Sequence, residues 1–210
     1  MNAEPRTCLH LAVHDHMADW QYGHAIAHVR SGIGPYRLGS REVVTVGLSG
    51  SPITTAGGLT ILPDLTLPQL KPSGSAMLLL PGSTAGEVSP EVMDPLTSAA
   101  GIFLDAGVPV AAIGSSIMAL AREGLLDYRD HTGTSRTDLA TTEYAGSHRY
   151  LDRLAVTDGD LITAAPTAPV EFAREILALL NGHTPRSLDA WYRHHALHDQ
   201  EAALTLADEG

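Results

Sequence analysis

The segment Val110-Ala111-Ala112-Ile113-Gly114-Ser115-Ser116-Ile117 is a short apolar run broken by a glycine and two hydroxyls. A buried strand that turns sharply into a helix has this layout, which is that of a nucleophile elbow. The first amides of such a helix lack internal partners and face whatever lies above the turn, where the dipole adds positive potential. An oxyanion formed there would be stabilised. Ser115 or Ser116 could donate a hydrogen bond, or attack if a base stood beside it; the plainer reading makes them helix caps.

Two further turns carry polar groups. In Leu79-Leu80-Pro81-Gly82-Ser83-Thr84, glycine permits a positive φ, and the next amide could face the same pocket. A simple strand-to-loop turn accounts for the same residues. In His14-Asp15-His16-Met17-Ala18-Asp19-Trp20-Gln21, the two histidines share a face if the strand continues, a spacing that can hold a metal. No third ligand follows at a convincing spacing, so no metal is expected. Asp15 and Asp19 can cap the helix that follows. His194, His195 and His198 are expected on a solvated helix face.

These turns need strands and helices to hold them. Strands are expected at 7–13, 42–48, 76–80 and 108–113, and an extended hairpin arm at 57–64. Residues 153–163 read as two strands joined at Asp158-Gly159. Helices are expected at 17–30, 90–106, 117–123, 168–180 and 188–206. Short apolar strands alternating with helices imply an α/β fold, a mostly parallel sheet with helices on both faces. In such sheets, chemistry collects beyond the carboxyl ends of the strands, where the three turns lie.

Composition narrows the function. Acidic residues outnumber basic ones, 24 to 13, for a formal charge of −11, which argues against a nucleic-acid partner. No apolar run is long enough to cross a membrane. The N-terminus has no basic region leading into an apolar core, and Cys8 is the only cysteine of 210 residues, so no intrachain disulfide forms. A cytoplasmic protein is the expectation. Residues 1–183 are expected to form one domain, and 184–210 a helix packed on it or on a dimer mate through Trp191, Tyr192, Leu197 and Leu204.

The order and spacing of several short stretches resemble the DJ-1/PfpI superfamily, in its amidotransferase-like or intracellular-protease-like branch. They include Asp19-Trp20, Gly57-Gly58-Leu59-Thr60-Ile61-Leu62-Pro63-Asp64, Leu80-Pro81-Gly82 and Ala111-Ala112-Ile113. Ala119-Leu120-Ala121-Arg122-Glu123-Gly124-Leu125-Leu126, His131-Thr132, Tyr144, Gly146, Tyr150, Ile162-Thr163-Ala164 and Glu171-Phe172-Ala173 continue the match. The resemblance implies a flavodoxin-like sandwich, usually dimeric. It also implies an elbow cysteine, a glutamate on the first helix that hydrogen-bonds it, and an oxyanion hole of backbone amides.

This chain departs from that pattern at both partners of the pair. Gly114 stands at the cysteine position and Gln21 at the glutamate position. Ser83 replaces the second glycine of the Leu-Pro-Gly-Gly turn, and Pro166 falls where glycine is expected. Thiol chemistry is thereby lost, and the site has to be argued afresh. One reading is an enzyme without cysteine or cofactor. Gln21 and Ser115 would be catalytic, and Asp15, His16, Gly82, Ser83, Gly114 and Ser116 would bind a small molecule that fills the void left at Gly114. Proton transfer, hydration, elimination or cyclisation of a carbonyl-containing metabolite would suit such donors, a lyase- or cyclase-type activity. The alternative is a catalytically inactive ligand-binding or scaffold protein.

Overall fold

The computed structural model describes residues 8–32, 40–84, 89–180 and 183–208; Thr7, the first residue of the expected opening strand, lies outside them. The chain runs β1 (Cys8–Ala12), α1 (Asp19–Ser31), β2 (Glu42–Gly47), then a small antiparallel pair, β3 (Ile53–Thr54) and β4 (Thr60–Ile61). Next come β5 (Leu65–Thr66), β6 (Ser75–Leu80), α2 (Pro90–Asp105), β7 (Val110–Ile113), α3 (Ser116–Arg122) and α4 (Arg136–Ala140). The last elements are β8 (Ala155–Asp158), β9 (Leu161–Ala164), α5 (Pro169–Leu179), α6 (Pro185–Leu197) and α7 (Gln200–Asp208).

Seven strands form one sheet in the order β5-β2-β1-β6-β7-β9-β8. All pairs are parallel except β8–β9 at one edge. Side chains alternate between two cores, as the pleat requires. Leu9, Leu11, Met77, Leu79, Ala111 and Ile113 face α1, α5 and α6 through Val29, Phe172, Ile176 and Trp191. Ala12, Leu78, Leu80, Val110 and Ala112 face α2 and α3 through Met93, Phe103, Ile117 and Leu120. Burial on both faces explains why β6 and β7 are unbroken apolar runs. This is the flavodoxin-like α/β sandwich. Strand order reverses between β1 and β6, and a sheet of this kind opens its crevice there. Among the described residues no helix is long and apolar enough to cross a membrane.

Some elements differ from expectation. Helix α1 starts at Asp19, not at 17, because Met17 bridges to Ser83 and Ala18 N–H donates to Gly82 O at 2.9 Å. Its buried face is Gln21, Tyr22, Ala25 and Val29, and Trp20 stays 53% exposed. Asp15 and Asp19 do not cap it. Asp15 Oδ1 accepts from Thr54 N (2.7 Å) and Asp19 Oδ2 from Gly57 N (2.6 Å), so both pin the β3–β4 arm. The expected helix over 188–206 is two helices, broken where His198 turns left-handed at φ 57. Residues 65–75 supply the edge strand β5 and a 3-10 turn capped by Thr66 and Gln69. Cys8 is half-buried, with its thiol 3.6 Å from Glu42 Oε2.

Candidate functional site

Three turns meet at the carboxyl ends of β1, β6 and β7. Gly114 ends β7 at φ +71, a left-handed conformation that a side chain strains. Its N–H donates to Ala164 O at 3.1 Å and its carbonyl accepts Ile117 N at 3.2 Å, so both neighbouring elements fix the turn. Gly82 lies so close to this elbow that an added Cβ would meet Ser115 N at 2.6 Å and Ile113 O at 2.9 Å. Backbone is on both sides, so nothing larger than glycine fits.

Gln21 comes off the first turn of α1 and is 2% exposed. Its Oε1 accepts the Gly82 N–H at 2.7 Å. Its Nε2 reaches into the space that a side chain at 114 would occupy; a Cβ there would lie 2.6 Å away. The expected void at Gly114 is therefore filled from within. The glutamine amide stands where a side chain on the elbow would begin. Among the described residues Nε2 has no hydrogen-bond acceptor, and Gln21 lines a cavity of about 450 Å3.

The two serines part company. Ser115 is half-buried, and its side chain does not cap α3; Oγ accepts from Ser83 N–H at 2.9 Å. One donor of the expected cradle of amides is thus already satisfied inside the chain. Ser116 is fully buried, and its hydroxyl lies 2.9 Å from Leu80 O and 3.0 Å from Ile113 O. It ties β6 to β7 and lines no part of the cavity, so its expected place as a binding residue is corrected. Gly82 and Gly114 shape the site with their backbones, and neither lines the cavity.

The β1 turn faces elsewhere. His14, Asp15 and His16 line a second cavity of about 380 Å3, with Ser83 forming a wall of both. His14 is buried, its Nδ1 2.9 Å from Asp15 O and its Nε2 3.2 Å from Pro81 O. His16 is exposed in a left-handed turn at φ 60. The two do not share a face, because the strand has already ended. Asp15 and His16 are therefore not beside Gln21, and neither reaches Ser115 as a base. His131 does not reach it either. It is buried between Arg129 O (2.8 Å) and Tyr144 Oη (2.8 Å), and burial holds its pKa below the usual imidazole range.

The Gln21 cavity is completed by groups the sequence reading passed over. Thr134, Asp138 and Thr141 line it from around α4, together with Met118 and Pro166. Asp138 is the one ionisable side chain among the described residues that line it. A signal for α4 was present: Ser135 followed three residues later by Asp138 is a helix start, and Ser135 Oγ accepts Asp138 N–H at 3.0 Å.

The fold and the elbow define a class. The DJ-1/PfpI family model matches residues 7–179. A Bacillus subtilis protein named uncharacterized protease YoaZ is 36% identical over 189 residues, covering 88% of this chain and 89% of the relative. The crystal structure of a thiJ/pfpI family protein from Bacillus anthracis superposes with a TM-score of 0.87 at 35% identity, covering 95% of each chain. A DJ-1 superfamily protein from Agrobacterium tumefaciens, Atu0886, gives a TM-score of 0.79 at 31% identity, covering 92% of this chain and 100% of that one. The chain belongs to the DJ-1/PfpI family.

Proposed function

We propose that this chain is a cysteine-independent enzyme that binds a small carbonyl compound against Gln21 and moves a proton at a neighbouring atom. One observation carries the reading. The Gln21 amide is fixed by Gly82 at one atom and has no partner at the other among the described residues, and the residue lines an open cavity. A carboxamide is neutral at every working pH, and its N–H would polarise a carbonyl oxygen without a proton of its own to lose. Asp138, which lines the same cavity, is the group available to take the acidified proton. Ser83 N–H becomes a second donor if the Ser115 hydroxyl turns aside. Because the one charge among the described residues lining the cavity is negative, neutral or cationic substrates suit it better than anions. Isomerisation, elimination and enolate cyclisation begin with this step, and hydration of an enone runs the elimination in reverse. Peptide hydrolysis through an elbow thiol is not open to a chain with glycine at 114 and its sole cysteine on β1.

A second reading is ligand binding without turnover. The bond from Ser83 N–H to Ser115 Oγ favours it, since that donor is closed at rest. A panel of neutral ketones and enones incubated with the protein in heavy water separates the two. Protein-dependent exchange of α-protons, lost in Asp138→Asn and reduced in Gln21→Ala, supports the enzyme. A compound that raises the melting temperature without exchange supports the binding protein. Neither effect with any compound would remove both. A cytoplasmic homodimer acting in specialised metabolism belongs to the same proposal, and sedentation in the analytical ultracentrifuge tests the dimer.

A further inference from the structure

Helix α6 meets α1 through rings. His24 and His28 stand one turn apart on α1, with centroids 6.1 Å apart. His195 of α6 lies 5.6 Å from His24 and 4.8 Å from His28. Trp191, one turn earlier on α6 and 1% exposed, packs 5.0 Å from His28 and 4.7 Å from His195. His194 adds a fourth imidazole 5.0 Å from His195. The expected solvated face of histidines is thus partly an interface. Among the described residues no three His, Cys, Asp or Glu side chains are placed to hold a metal ion, so the rings meet by edge and face.

Among the described residues no carboxylate acts on His195 to offset a proton taken up here. The charges acting on His195 are those of His28, His194 and His24, all of the sign it would itself acquire. His183, before α6, acts with His28 in the same way. On α5, Glu171 accepts from the Tyr192 hydroxyl, and Arg174 lies over the Tyr192 ring and pairs with Glu175. Beyond α6, Asp199 is held by Arg193. Arg41, whose guanidinium donates to Leu180 O, adds another cation near the end of α5.

We propose that this seam is an acid-sensitive latch, in which α6 docks on α1 while the imidazoles are uncharged and loosens when they take up protons. Burial first, then the neighbouring imidazoles His28, His194 and His24, push His195 down to about 4. Burial also holds His28 and His183 below the usual range. The docked form thus resists protons that the released form accepts near 6.5. Docking has its full strength above about pH 6.5 and weakens as pH falls toward about 4. His195 alone raises the opening constant about tenfold at about pH 5.5.

Hydrogen exchange of the intact protein, corrected for the intrinsic pH dependence, measures that constant. The α6 amides should open about tenfold more often at about pH 5.5 than at about 7.5. His195→Phe keeps a ring and removes the proton site, and should flatten most of the difference. No rise in α6 opening between about pH 7.5 and 5.5, or a rise unchanged in His195→Phe, overturns the latch. Should the variant fail to fold, proton titration of His195 in the native protein decides: a midpoint near 6.5 overturns the proposal, and one near 4 upholds it.

Discussion

Gly114→Ala tests whether Gln21 really occupies the elbow. The new methyl would carry φ +71, which costs a side chain about 1–2 kcal/mol. It would also lie 2.6 Å from Gln21 Nε2 and 3.2 Å from Oε1, so the amide must withdraw. Withdrawal strands the buried Gly82 N–H, a loss of about 1–3 kcal/mol. The sum is about 2–5 kcal/mol, or a melting temperature lower by roughly 5–20 °C for a chain of this length. In a Gln21→Ala background the collision is absent and the Gly82 N–H has already lost its acceptor, so the second change adds neither cost. There Gly114→Ala should cost only the backbone part. Urea unfolding of the four proteins, with m-values compared, gives the coupling directly, expected at about 1–3 kcal/mol. Equal costs in both backgrounds would refute the packing of Gln21 against Gly114.

Ser116→Ala should lower stability by about 1–2 kcal/mol, since its hydroxyl serves Leu80 O and Ile113 O, and leave the ligand profile in a melting assay as it was; a changed profile would return it to the site. Gly114→Cys combined with Gln21→Glu should yield a thiol at position 114 that iodoacetamide alkylates in a pH-dependent way, faster than Cys8. An inert thiol would count against the correspondence with the family's reactive pair. Burial lowers His10, His28 and His131 from the usual 6.5, so the unfolded chain binds protons there that the folded one refuses. Stability is therefore complete above about pH 6.5 and falls below it, and the urea midpoint should drop between about pH 7 and 5. A flat midpoint would show these rings to be solvated.

Much of the frame was legible because local pattern and tertiary demand agree. The runs 76–80 and 108–113 are apolar throughout because both faces of β6 and β7 are covered. Gly114 and Gln21 could be paired because the family resemblance sets them at the positions of its cysteine and its glutamate. What escaped the sequence depended on direction. Nothing local says that His16 turns left-handed and that the β1 turn therefore opens on the far side of Ser83. Ser115 and Ser116 are identical in type and adjacent, yet one turns to Ser83 N–H and the other inward to two strand carbonyls. Asp138 rides on a helix of five residues, too short for a periodic signal. His195 reads as a surface residue until α6 folds back on α1.

If Gln21 merely plugged the space beside Gly114, an apolar side chain would do so without leaving a donor at the cavity wall. The glutamine instead lines the cavity held by one atom, and its other has no partner among the described residues. Gln21→Glu separates plugging from recognition, because it exchanges Nε2 for oxygen at nearly constant volume. Its other oxygen still accepts the Gly82 N–H, and a charged acceptor makes that bond stronger. Against this stands the cost of burying the charge, so the net change in melting temperature should stay within a few degrees. Carbonyl ligands, however, would now face an acceptor in place of a donor. Their binding should fall by roughly tenfold or more, in line with about 1.5–3 kcal/mol for a hydrogen bond made and then opposed. Ligands bound as tightly by Gln21→Glu as by the native chain would leave the glutamine a filler, and the carbonyl reading would fall with it.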